Sequence, residues 1–84
     1  MKNIIWSKDQ CPYCEQAKSL LMTHSISFEE RKIGETWTKE QLLEMVPSAR
    51  SVPQIFLYGE YIGTYKDLVN YFETHDTGST EGKI

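Results

Sequence analysis

Both cysteines of the chain fall within four residues, Cys11-Pro12-Tyr13-Cys14. Two thiols so close can make and break a disulfide, or give two ligands to a metal. A thiol attacks a disulfide only as its thiolate, and the unpaired N–H groups and positive dipole end of a helix stabilise that anion. The sequence puts Cys11 at such a place. The apolar run Ile4-Ile5-Trp6 ends in the loop Lys8-Asp9-Gln10, and Pro12 suits the first helical position because its missing N–H would have no helical partner. Cys11 then stands at the N-cap, with Lys8 adding positive charge three residues earlier. Cys14 lies one turn further in, away from the free donors. The asymmetry makes Cys11 the expected nucleophile and Cys14 the resolving thiol, at a spacing that lets the sulfurs join with little backbone movement. A structural disulfide across so short a loop would constrain the unfolded chain little. A structural zinc site needs four ligands, and only His24 and His75 remain to complete one. Redox chemistry is the reading these residue types support, and no metal is expected.

A second feature is Ser51-Val52-Pro53. With a cis bond before Pro53, Val52 would keep its N–H and C=O outside the sheet, able to pair with an extended peptide-like substrate as an added strand does. A trans proline opening an ordinary strand is the alternative, and X–Pro bonds are mostly trans.

Hydrophobic periodicity supplies the elements that must position these residues. Residues 2–7 read as a strand buried on both faces. From Tyr13 to about His24, Cys14, Ala17, Leu20 and Leu21 recur at helical spacing. Residues 25–33 open with alternation and read as a second strand at the sheet edge, parallel to the first through a right-handed crossover. Gly34 breaks the pattern. Thr36 or Thr38 can cap a helix through Leu42, Leu43 and Met45, with Thr38 and Gln41 spaced as a capping box, and Pro47 ends it. Residues 54–58 form a dense apolar strand, Gly59-Glu60 a two-residue turn, and Tyr61-Ile62-Gly63 an antiparallel return. Asp67 to about Thr74 carries Leu68, Val69, Tyr71 and Phe72 on an amphipathic helix. The fold class is α/β, β-α-β-α-β-β-α, a four-stranded mixed sheet flanked by helices: a minimal thioredoxin fold. Residues 1–75 are expected to form the domain and 76–84, rich in Gly, Ser, Thr and charge, a flexible tail.

Eighty-four residues allow one small core. Apolar residues are 39% of the chain, enough to pack it without metal or staples. A net charge of −3 gives no electrostatic reason for nucleic acid or an anionic membrane as partner. No apolar run approaches the roughly 20 residues that span a bilayer, and the N-terminus is charged too early for a secretory signal. Two cysteines make no disulfide framework, so a cytoplasmic location is expected.

Three segments together resemble a dithiol glutaredoxin of the short bacterial and phage type. They are residues 8–18 around CPYC, Ser51-Val52-Pro53-Gln54-Ile55-Phe56, and Tyr61-Ile62-Gly63-Thr64-Tyr65-Lys66-Asp67-Leu68. The resemblance implies a glutathione-dependent thiol–disulfide oxidoreductase, with Cys11 and Cys14 catalytic and glutathione as co-substrate. It implies a glutathione groove beside the nucleophile at Lys8 and Tyr13, with Ser51, Val52 and Pro53 forming a cis-proline turn where Val52 pairs main chain to main chain with the ligand. It places the γ-glutamyl carboxylate at Tyr65, Lys66 and Asp67, and a carboxylate does belong at a helix N-terminus. Lys8 is the best cation for the glycine carboxylate, ahead of Lys39 and Arg50. Two residues depart from the family pattern: Thr64, where a second glycine is common, and Lys66, where Asp, Ser or Thr is usual. The partners implied are disulfide-containing proteins, ribonucleotide reductase among them, acted on by a monomer in electron transport and cell redox homeostasis. The rivals are a thioredoxin-like donor served by thioredoxin reductase, although Gln10 replaces the tryptophan that precedes the thioredoxin motif, and a glutathione-ligated iron–sulfur protein, which Pro12 disfavours by stiffening the loop. A binding subunit without turnover is a third. Trp37, Tyr61 and Tyr65 could form an aromatic rim for protein substrates, but half-buried packing is the expected role.

Overall fold

The computed structural model describes residues 2–75. The expected tail at 76–84 lies outside the described residues. Seven elements follow in the order β1 (Ile4–Lys8), α1 (Pro12–Thr23), β2 (Glu29–Ile33), α2 (Lys39–Met45), β3 (Gln54–Leu57), β4 (Glu60–Gly63) and α3 (Tyr65–His75). The sheet order is β2-β1-β3-β4, with β1 and β2 parallel and the other two pairs antiparallel. This is the mixed four-stranded sheet read from the sequence, with β2 at one edge.

Alternation along β1 sorts its side chains to two faces. Ile5 goes to one, with Ala17 and Leu21 of α1, Ile55 and Leu57 of β3, and Leu68 of α3. Ile4 and Trp6 go to the other, against Leu42 and Val46 from α2 and the residue that follows it. Burial on both faces is why β1 shows a continuous apolar run. On the α2 face Trp6 meets Trp37 edge to face at 5.3 Å, and the Arg31 guanidinium lies 4.2 Å from the Trp37 ring centre. Trp37 thus packs, as expected. Among the described residues no helix is long and apolar enough to cross a membrane.

Strand β1 starts two residues later than read and takes in Lys8, which was read as loop; three further boundaries differ from the sequence reading, each for a local reason. Residues 25–28 are not strand: Ser25 takes φ 60°, and the N–H groups of Ser25 and Ile26 bond back to Met22 and Leu21 of α1. These bonds finish the helix before Glu29 enters the sheet. The β3–β4 turn is Tyr58-Gly59, not Gly59-Glu60. Both residues have positive φ, 54° and 83°, and Leu57 pairs with Glu60 across them. Helix α3 begins at Tyr65, two residues before the expected Asp67, because Thr64 caps it. At α2 the expected Thr38–Gln41 capping box is present.

Candidate active site

Cys11 is the N-cap of α1, in extended conformation, with Pro12 at the first helical position. Its sulfur accepts the Cys14 N–H at 3.1 Å, the bond a capping oxygen would normally take. The helix thus presents a backbone donor to that sulfur, as expected for a stabilised thiolate. Gln10, at φ 55°, turns the chain from β1 into this cap. Cys11 and Cys14 are joined in a disulfide, their Cα atoms 5.2 Å apart. Cys11 keeps 8% of its surface exposed and Cys14 none. Of the two residues only Cys11, at the helix cap, keeps any exposed surface.

The Cys11 sulfur lies 3.8 Å from the Val52 carbonyl oxygen. The Val52–Pro53 bond is cis, and Val52 precedes the paired residues of β3, outside the ladder. Gln54, almost fully buried, fixes this loop: its Nε2 donates to the Ser51 carbonyl at 2.8 Å, and its Oε1 accepts the Tyr61 hydroxyl at 2.6 Å. A polar side chain is tolerated there because both ends of its amide are paired.

A groove of about 730 Å³ opens beside the cysteine pair. Its lining includes Tyr13 from α1, Ser51, Val52 and Pro53 from the loop, and Tyr65, Lys66 and Asp67 from the start of α3. Seven of the eight residues expected around a ligand therefore share one cleft. The eighth, Lys8, ends β1, is exposed, and is not among the lining residues. Arg50 and Lys39 are exposed and also outside the lining. The Tyr13 and Tyr65 rings stack at 5.8 Å, joining the N-terminal ends of α1 and α3. Tyr61 stays partly exposed, and burial, then the nearby Asp67 carboxylate, raise its phenol above the ordinary value.

The sequence reading missed Val69, Asn70 and Glu73, which extend the groove along α3. The signal was their helical spacing from Lys66, three, four and seven residues on. Thr64, noted as a departure, also lines the groove and caps α3. Its N–H and hydroxyl both donate to Asp67 Oδ2, at 2.9 and 3.1 Å. The preceding Gly63 has φ +124°, and a Cβ there would fall on the Asp67 carboxylate.

Behind the loop, buried Ser7 donates to Glu30 Oε2 at 2.6 Å, and Lys18 of α1 reaches the same oxygen at 2.9 Å and Glu15 at 3.1 Å. Burial opposes the charge of Glu30, yet the bonds from Ser7 and Lys18 prevail and lower its pKa. Burial likewise opposes the Lys18 charge, but Glu30 and Glu15 outweigh it and raise its pKa. This network ties the end of β1 and the second turn of α1 to β2, and so steadies the redox loop between them. Among the described residues no three His, Cys, Asp or Glu side chains gather as a metal-binding group. His24 stacks on the Phe72 ring at the far end of α1.

With this geometry in view, residues 3–62 match the family model described as Glutaredoxin. The chain is 38% identical over 69 residues to Glutaredoxin 3 of Escherichia coli K12, covering 81% of this chain and 83% of that protein. It is 31% identical over 86 residues to Glutaredoxin-C4 of Arabidopsis thaliana, covering 96% of this chain but 62% of that longer protein. The solution structure of reduced Escherichia coli glutaredoxin superposes with a TM-score of 0.72 at 30% identity, over 89% of this chain and 96% of that one.

Proposed function

The chain belongs to the glutaredoxin family, and from that membership and the groove beside its cysteine pair we propose that it reduces protein disulfides and glutathione mixed disulfides with glutathione as electron donor. The observation that carries the proposal is the position of Cys11. Its sulfur accepts a helix N–H and lies 3.8 Å from the carbonyl oxygen of Val52, which lines a cleft reaching to the start of α3.

In the proposed cycle the Cys11 thiolate attacks one sulfur of the substrate disulfide. A Cys11–substrate bond forms, the old S–S bond breaks, and the departing thiolate takes a proton from solvent. For a protein disulfide, Cys14 loses its proton, attacks Cys11, and releases the substrate as dithiol, leaving the Cys11–Cys14 disulfide. Two glutathione molecules then restore the dithiol and leave as glutathione disulfide. For a glutathionylated substrate, Cys11 takes up the glutathionyl group, and a second glutathione resolves it. Each exchange moves two electrons and needs no metal.

Glutathione is proposed to lie along the groove with its cysteine backbone paired to Val52. Its γ-glutamyl carboxylate would meet the first N–H groups of α3 and Lys66, and its α-amino group Asp67. Tyr13, Tyr65, Ser51 and Pro53 would form the walls. Lys8 would meet the glycine carboxylate by swinging its flexible stem toward the cleft. A monomer in a reducing compartment such as the cytoplasm is the proposed setting, with ribonucleotide reductase one protein substrate to try.

The test is a coupled assay with glutathione, glutathione reductase and a small glutathione mixed disulfide, run beside one with thioredoxin reductase. Turnover that requires glutathione is expected. Turnover only with thioredoxin reductase would overturn the proposal.

A further inference from the structure

The groove continues past the residues assigned to glutathione. On α3 its lining runs through Lys66, Val69, Asn70 and Glu73, which share one side of the helix, while Leu68, Tyr71 and Phe72 pack into the core from another. From Asp67 to Glu73 is six residues, about 9 Å along the axis, or the reach of about three extended residues. The free N–H groups that receive a carboxylate belong to the first turn of α3. The far half of the groove lies beyond them.

Charge changes sign along that path. The near end offers an anion the helix N-terminus and Lys66. The far end offers the Glu73 carboxylate beside the Asn70 amide, with Val69 as an apolar strip. Among the described residues Glu73 has no hydrogen-bond or ion-pair partner. Elsewhere on the molecule, Lys2, Lys18, Arg31 and Lys32 each already hold a carboxylate. Lysine and arginine fit such a place: their stems cover apolar surface and their heads reach out to a carboxylate.

We infer that the Asn70–Glu73 end of the groove is a subsite for a basic side chain on the polypeptide that carries the disulfide to be reduced. This rests on the proposal that Cys11 performs disulfide exchange in the groove. Glutathione alone does not need the subsite; a protein segment laid along the groove does. The negative net charge of the chain favours encounter with such segments as well.

The test uses peptides closed by a disulfide between their own two cysteines that differ at one position, lysine or glutamate, placed two, three or four residues to either side of one cysteine. For each peptide kcat/KM is measured with the wild-type chain, Glu73→Gln and Glu73→Lys. In at least one register the lysine peptide is expected to exceed its glutamate counterpart by about threefold to fivefold at low salt, with the ratio falling at high salt. The ratio should approach one in Glu73→Gln and invert in Glu73→Lys. Because the readout is a ratio within each variant, a change in overall activity does not affect it. Equal turnover of lysine and glutamate peptides by the wild-type chain overturns the subsite and leaves the proposed function standing. A preference that survives unchanged in Glu73→Lys overturns the assignment to Glu73. No turnover of any peptide, including one without lysine, removes the proposed function and the subsite with it.

Discussion

At position 11 the sulfur caps a helix and lies against the Val52 carbonyl at the groove's wall, whereas Cys14 is fully enclosed. The difference predicts unequal consequences of losing each thiol. In Cys11→Ser the hydroxyl is a good N-cap, so thermal stability should hold while turnover falls to the uncatalysed background in the glutathione-coupled assay. Cys14→Ser should still release glutathione from a small mixed disulfide, because free glutathione can resolve Cys11, yet fail on protein disulfides. Comparable activity of Cys11→Ser and wild type would make the fold a binding module without turnover. A second consequence at this scale concerns pH. The Glu30 pKa is lowered in the folded chain, so its contribution is present above the unfolded value near 4.3 and is lost as pH falls through the folded value. The raised Lys18 pKa works in the opposite sense, its contribution being present below the unfolded value near 10.4 and lost as pH rises through the folded value. Ser7→Ala removes a short bond to Glu30 and should cost about 1 kcal/mol near neutrality. The gap from wild type should narrow as pH falls below the ordinary carboxylate range and Glu30 protonates. Melting curves across pH check it, and a gap independent of pH would show that Glu30 is not the group responsible.

The N-terminus of α3 shows how an element can be held by the residues it offers to a ligand. Asp67 Oδ2 accepts both the N–H and the hydroxyl of Thr64, so the side chain proposed to meet the ligand's amino group also caps the helix. Asp67→Ala should lower stability by about 1 kcal/mol and raise the glutathione KM. Asp67→Asn keeps an acceptor oxygen and should recover most of the stability while leaving KM high. Calorimetry and KM measured on the same preparations separate the two roles; full recovery of KM in the asparagine variant would confine Asp67 to capping. This cap also shows what the sequence could reveal. The redox turn, the Thr38 capping box and the order of the strands were legible because periodicity and capping residues act locally. The start of α3 was misplaced because lysine at position 66 reads as a poor cap, while the actual cap is Thr64 with its acceptor three residues on. The β3–β4 turn moved by one because Tyr58 takes the left-handed conformation that glycine normally claims. Val69, Asn70 and Glu73 were invisible as lining, since an exposed helix face becomes a wall only when another element stands opposite. That Tyr13 and Ser51 to Pro53 stand there is a property of the tertiary structure.

For the molecule as a whole, the sheet separates two cores with different duties. Helices α1 and α3 share one face with Ile5, Leu21, Ile55 and Leu68, and between them they carry both cysteines and the far wall of the groove. Helix α2 covers the opposite face with Leu42 and Val46, against Trp6. Domains of this size hold only about 5–15 kcal/mol of stability, so a cavity in either core is felt throughout. Leu68 is fully buried and Leu42 nearly so, and truncating either to alanine should cost about 2–5 kcal/mol. Their effects on function should differ. Leu68 seats α3 one residue after Asp67, so Leu68→Ala loosens the wall against which glutathione is proposed to dock, and KM should rise for the molecules that remain folded. Leu42→Ala leaves that wall on an intact core, so KM should stay near wild type at the same loss of stability. Urea denaturation measures the first quantity and steady-state kinetics at a temperature where both variants are folded the second. An equal rise in KM for the two variants would mean that the sheet transmits packing defects from one face to the other, and that the groove depends on both cores.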